Sequence, residues 1–158
     1  MKRELQQVLV KKYHIFFDWM NNIKPGEPIH PMSFGIECSD GWYWLLSNLM
    51  SSIYHYQKWN KKETIRIKQI KEKFGGLSFY YDGGDDIIDG MVSLAEDMSY
   101  KICEYCGTTE NVGITKGWIS VICKDCHNKI DNRKDLIWIP NENLRLEKLI
   151  RIKELLKK

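Results

Sequence analysis

Two Cys-x-x-Cys pairs carry the clearest chemistry in the sequence. Cys103-Glu104-Tyr105-Cys106 and Cys123-Lys124-Asp125-Cys126 are separated by sixteen residues. Each Cys-x-x-Cys turn aims two thiolates at one point, and two turns together complete a tetrahedron. Zn2+ favours four soft ligands in that shape, and this spacing is a specific zinc pattern. Cys103, Cys106, Cys123 and Cys126 are therefore expected to hold one structural Zn2+. Four thiolates close the shell, so no open position remains from which the metal could activate water. The competing reading, buried or redox-active cysteines, fits the paired spacing less well. A disulfide framework suits a secreted chain, whereas Met1-Lys2-Arg3-Glu4 turns polar too soon for a signal peptide. His127 adjoins Cys126 and is a candidate replacement ligand, a plain surface histidine being the simpler alternative. Cys38 stands alone and reads as a small hydrophobe.

The second chemically dense stretch is Gln69-Ile70-Lys71-Glu72-Lys73-Phe74-Gly75-Gly76-Leu77-Ser78-Phe79-Tyr80-Tyr81. Glycines let a ligand approach backbone amides closely, lysines contact phosphate, and aromatic rings stack on bases. Lys71, Lys73, Phe74, Gly75, Gly76, Tyr80 and Tyr81, with Trp42, are the candidate ligand-binding residues. The bland alternative is a hairpin turn with its aromatics in the core and its lysines in water. Charge is distributed unevenly around this stretch. Seven basic residues lie between Lys58 and Lys73 against two glutamates, and six acidic residues lie between Asp82 and Asp97 with no Lys or Arg.

Enzyme signatures are missing. There is no phosphate-cradling Gly-x-x-x-x-Gly-Lys-Ser/Thr loop, no Gly-x-Gly-x-x-Gly and no His-Glu-x-x-His. Cys123 to Lys129 resembles the closing knuckle of HNH nucleases. The Asp-His pair that family places between its knuckles is absent between Cys106 and Cys123, which argues against nuclease chemistry.

These residues need elements to position them. With 158 residues, 43% hydrophobic and 28% charged, the chain is expected to form one domain, or one with a small appendage, and not a disordered coil. No apolar run approaches the ~20 residues of a membrane helix. Spacings of three and four predict helices over Arg3–Met20, Gly41–Trp59 with Asp40 as N-cap, Asp86–Lys101 and Glu142–Leu156. The helix after Asp85 is expected to turn Ile87, Ile88, Met91, Leu94, Ala95 and Met98 inward. Three prolines make Lys24–Pro31 a loop, and Phe34–Cys38 reads as a short extended piece. Alternation predicts a hairpin over Thr64–Asp82, turning at Gly75-Gly76. Val112–Ile114 and Trp118–Ile122 are the expected ribbon strands, followed by a short apolar piece at Ile137–Ile139. The expected fold is α+β: helices packed on a β-hairpin, with a four-cysteine zinc ribbon inserted near the C-terminal part. Its divisions are a core over 1–102, the ribbon over 103–130 and a C-terminal helical segment over 131–158. Trp42, Trp44, Trp59, Trp118 and Trp138 are assigned to the core or a pocket wall.

Gly41-Trp42, then Lys71 to Tyr80, then the first knuckle, then Gly117-Trp118-Ile119 occur in an order that resembles a family of small, uncharacterised zinc-ribbon proteins of bacteriophages and prophages. The resemblance covers roughly the central two thirds of the chain, and Lys-Glu-Lys-Phe-Gly-Gly-Leu is its distinctive segment. It implies a phage origin and a cytoplasmic workplace. It carries over no catalytic residues and implies no reaction. Three functions are weighed. The first is a non-catalytic binder of a phosphate-bearing ligand, a nucleotide signal or nucleic acid, used to counter host defence. The second is a protein-interaction module in which the ribbon and Trp118 contact a host protein. The third is a nucleotide-cleaving enzyme with Glu37 or Asp82 as acid or base.

Overall fold

The computed structural model describes residues 1–22, 26, 29–130 and 136–141. The helix expected over Glu142–Leu156, and most of the proline loop, lie outside the described residues. Among these residues the fold is α+β, with four helices and two small antiparallel sheets. None of the helices is long and apolar enough to cross a membrane.

The first helix, α1, spans Arg3–Lys12 and stops well short of Met20. Tyr13 breaks it at φ −118° and ψ 36°. Its hydroxyl donates to the Ser47 carbonyl at 3.0 Å. Two short 3₁₀ turns, His14–Phe16 and Asp18–Asn22, then follow. Leaving the helix lets Phe16 and Phe17, adjacent in sequence, both enter the core. The Trp19 indole donates to the Ile67 carbonyl at 3.1 Å. The piece expected to be extended begins instead as a 3₁₀ turn over Pro31–Phe34, which the His30 side chain caps. Only Glu37 pairs, through a single parallel bridge to Lys71.

Helix α2, Tyr43–Trp59, is the centre of the fold. Leu45, Leu46, Leu49, Met50 and Ile53 are buried along it. Asp40 does not cap it. Asp40 opens a 3₁₀ turn, and its carboxylate accepts from the Lys2 amide at 2.7 Å and pairs with the Lys2 ammonium at 3.5 Å.

Strands β1, Arg66–Lys73, and β2, Gly76–Asp82, form the expected hairpin. Ile65, Ile67 and Ile70 on one side, with Leu77 and Phe79 on the other, are buried. Lys73 pairs with Gly76, so the two turn residues are Phe74 and Gly75, not Gly75 and Gly76. Both have positive φ, 53° and 83°, as a two-residue turn of matching twist requires.

Helix α3, Asp86–Ser99, is capped by Asp85, whose carboxylate accepts from the Ile88 amide. It turns Ile88, Val92, Ala95 and Ser99 inward. Of the residues expected there, Ile87, Leu94 and Met98 are exposed. The apolar stripe of α3 is wider than its contact with α2 and the hairpin, so part of it stays wet. The tryptophan expectation fails at Trp59 and Trp118, which are exposed, and holds at Trp42 in the core and at Trp44 and Trp138, each of which lines a groove.

The ribbon consists of β3, Val112–Thr115, and β4, Val121–Cys123, with the short helix α4, Lys124–Lys129. The apolar piece near Ile137 becomes β5, Trp138–Pro140, and the strand order is β4-β3-β5. Pro140 is tolerated because β5 is an edge strand. Strand β4 starts later than expected because residues 115–120 close a tight loop. The Thr115 hydroxyl donates to the Trp118 carbonyl and accepts from the Ser120 amide.

Candidate metal centre and the junction around it

The four cysteine sulfurs all lie within 4.8 Å of one another. The Cys106 and Cys123 sulfurs are 3.7 Å apart. A tetrahedron with Zn–S bonds of about 2.3 Å has edges of about 3.8 Å, so the spacing suits one ion. None of the cysteines is in a disulfide. His127 stays outside this cluster, and its Nε2 lies 2.9 Å from the Leu136 carbonyl.

Local structure explains how the sulfurs converge. In the first knuckle the Gly107 amide donates to the Cys103 carbonyl at 2.8 Å, with Gly107 at φ 79°. In the second, Cys123 caps α4, and its sulfur accepts from the Cys126 amide at 3.4 Å. Burial pushes the Cys103 thiol above its ordinary pKa, and burial with the neighbouring thiols does the same to Cys126. Burial also opposes ionisation of Cys106, but hydrogen bonds from the Thr108 backbone and the adjacent cysteines outweigh it and lower that pKa. Gathering four thiolates therefore needs a cation to offset their repulsion and desolvation. A dication bound by these four sulfurs would do so, and its contribution would be structural.

The knuckle is pressed directly onto the helical core. The Gly41 amide donates to the Glu104 carbonyl at 2.8 Å. The Ser39 amide donates to the buried Glu104 carboxylate at 2.8 Å. A Cβ on Gly41 would collide with the Cys103 carbonyl oxygen, and one on Gly107 would lie 2.8 Å from the Gly41 carbonyl oxygen. Next to this contact Trp42 is fully buried, and its indole donates to the Ile102 carbonyl at 3.0 Å. Trp42 is thus a core residue, out of reach of a ligand in solution.

The hairpin motif is the other half of the junction. The Gly75 amide donates to the Glu72 carboxylate at 2.5 Å, so the chain itself supplies an anion to the turn. A Cβ on Gly75 would meet the Ile119 side chain at 2.9 Å, and one on Gly76 would collide with the Tyr100 ring. The Leu77 amide donates to the Ser99 hydroxyl, and the Phe79 amide to the Glu96 carboxylate. The Tyr81 hydroxyl donates to the Asp89 carboxylate, and burial together with that contact raises its pKa. Gly75, Gly76 and Tyr81 therefore join the hairpin to the ribbon and α3. Lys71, Lys73, Phe74 and Tyr80 are left facing solvent or the hairpin surface. The Lys71 ammonium lies 5.4 Å from the Tyr80 ring centre, the Lys73 ammonium 5.7 Å from that of Phe74, and Phe74 is 72% exposed.

A groove of about 1270 Å³ runs where the hairpin turn, the end of α3 and the ribbon meet. Phe74, Tyr100 and Trp138 line it with Lys101 and Lys124, and the Lys124 ammonium lies 4.9 Å from the Trp138 ring centre. Sequence reasoning named Phe74 as a ligand contact and Trp138 as core or pocket wall, but missed Tyr100, Lys101 and Lys124. The signal available was the lysine beside each late aromatic or knuckle residue, Tyr100-Lys101 and Cys123-Lys124. The chain matches no family model, no curated protein and no solved structure.

Proposed function

We propose that this protein is a non-catalytic binding protein, organised by a structural metal, for a phosphate-bearing ligand with a nucleobase. The supporting observation is the groove in which Phe74, Tyr100 and Trp138 gather with Lys101 and Lys124, bordered by Lys73. Aromatic faces stack on bases while lysines contact phosphates, a sequence-tolerant pairing common to single-stranded nucleic acids and nucleotides. Asp97 and Asp125 line the same groove and offset part of its positive charge, so stacking contributes more than charge. The metal holds the ribbon wall of the groove in place and takes no part in recognition. In the phage setting suggested by the sequence resemblance, the ligand would be host or phage nucleic acid, or a nucleotide signal.

The test is calorimetric titration of the zinc-loaded chain with single-stranded DNA, single-stranded RNA and a panel of mononucleotides and cyclic nucleotides. Stacking is worth about 1–3 kcal/mol per base. Phe74→Ala should therefore weaken binding at least fivefold, and Lys124→Ala should reduce the salt dependence. A ligand that binds both variants as it binds the native chain moves the site elsewhere, and a panel without any binder removes the proposal.

A further inference from the structure

The other large surface feature lies where α2 and α3 meet. Helices α2 and α3 leave between them a groove of about 670 Å³ that ends at Cys106 and Gly107. Tyr43 and Trp44 line it from α2, and Met91, Leu94 and Met98 from α3. Trp44 is 72% exposed and Leu94 62%. Ile87, also exposed, extends the same stripe by one turn, at the spacing 87, 91, 94, 98. An apolar stripe left open along a whole helix marks a docking surface more often than a solvated face. A groove between two helices suits a third helix laying three or four apolar residues into it.

Charge selects the occupant. Asp86 and Asp97 stand exposed along the edge of α3 that flanks the stripe, Asp97 on the border with the first groove, and neither is ion-paired among the described residues; Asp40, which lines this groove, is paired with Lys2. No Lys or Arg occurs between Asp82 and Tyr100. An acidic incoming helix would be repelled along this edge, and a basic one attracted. We propose that the α2–α3 groove docks an amphipathic helix of a partner protein, with an apolar stripe flanked by lysine or arginine. A second copy of this chain would set Asp86 and Asp97 against their own like charges.

The probes are two synthetic peptides of about 18 residues, long enough to hold helical structure. Both carry leucine at the spacing of one helix face, one with lysine and one with glutamate elsewhere. Titrated into the full zinc-loaded chain, the leucine-lysine peptide should bind one per chain, and the leucine-glutamate peptide at least tenfold more weakly. Leu94→Asp with Met98→Asp, both at exposed positions, should weaken the first peptide at least tenfold. Asp86→Asn with Asp97→Asn should narrow the gap between the two peptides. Equal binding of both peptides, or binding indifferent to the Leu94 and Met98 changes, overturns the proposal. Residues 142–158 of this chain carry leucine, isoleucine and lysine in quantity. If the peptide binds only when Leu149→Asp and Ile150→Asp are introduced, the groove serves the chain's own tail and the partner assignment falls. A dimer that Leu94→Asp converts to monomer in sedimentation assigns it to a second copy and overturns it equally.

Discussion

The helix-and-hairpin core and the ribbon are held together by different physics. The core buries 21 apolar side chains among the described residues, from Leu9 to Ala95. The ribbon's own cluster contains five, and two of those are Cys103 and Cys123. Burying apolar surface contributes about 25 cal/mol per Å², which serves the larger region well and the smaller one poorly. In the ribbon the four clustered sulfurs, which could hold one metal ion, stand where most of a core would be. The comparison teaches that the two regions should lose structure under different stresses, although they share a backbone-to-backbone junction at Gly41 and Gly107.

Removing the metal should have the largest effect. Structural zinc binding contributes on the order of 10 kcal/mol or more to small metal domains. Chelation, or Cys103→Ser, should abolish amide-exchange protection over residues 103–130 while α2 and the hairpin stay protected. If both regions lose protection together, the division between them is wrong. Lowering pH should release the ion in the same way, because protons compete for the thiolates. Second comes Trp42→Ala, expected to cost about 3–5 kcal/mol by emptying a fully buried site. Thermal unfolding of the metal-loaded chain measures it, and a loss below about 1 kcal/mol would show that the core does not depend on this anchor. Third, Gly76→Ala should cost about 1–3 kcal/mol by pushing against the Tyr100 ring. Tyr100→Ala should cancel much of that loss in a double-mutant cycle, and strict additivity would mean the contact carries nothing.

The smallest expected effect is electrostatic. Asp85 has a lowered pKa, chiefly from the Tyr56 hydroxyl and then from Lys62 and the Ile88 amide. A carboxyl with a depressed folded pKa adds stability that is present above its unfolded value, about 4. That stability is lost as pH falls through the lower folded value. Asp85→Asn should therefore destabilise the chain at neutral pH and do so progressively less as pH falls through the lowered folded value, as denaturant midpoints at neutral and acid pH would show. An equal loss at both would assign Asp85 a packing role.

The sequence made the four-cysteine cluster and the hairpin legible because each depends on local spacing. Cys-x-x-Cys fixes two sulfurs within one turn, and alternation at Ile65 and Ile67 fixes one buried face. It was misleading wherever distant contacts decide. The helix expected to reach Met20 ends at Lys12 because Tyr13 binds α2, thirty-four residues away. Leu94 and Met98 have the right period for a core but face a groove. The turn falls one residue earlier than expected, at Phe74-Gly75, which leaves Gly76 in the strand against the Tyr100 ring, and no local pattern announces that contact.

Trp42 has a further use. Its indole is bonded to the carbonyl just before Cys103, behind a contact with no side chain in between. A rearrangement of the sulfur shell would be felt at that ring, so a metal bound there would be reported by the protein's own indole. Emission from Trp42, isolated by changing the other five tryptophans to phenylalanine, would follow loading of the ion without any added dye.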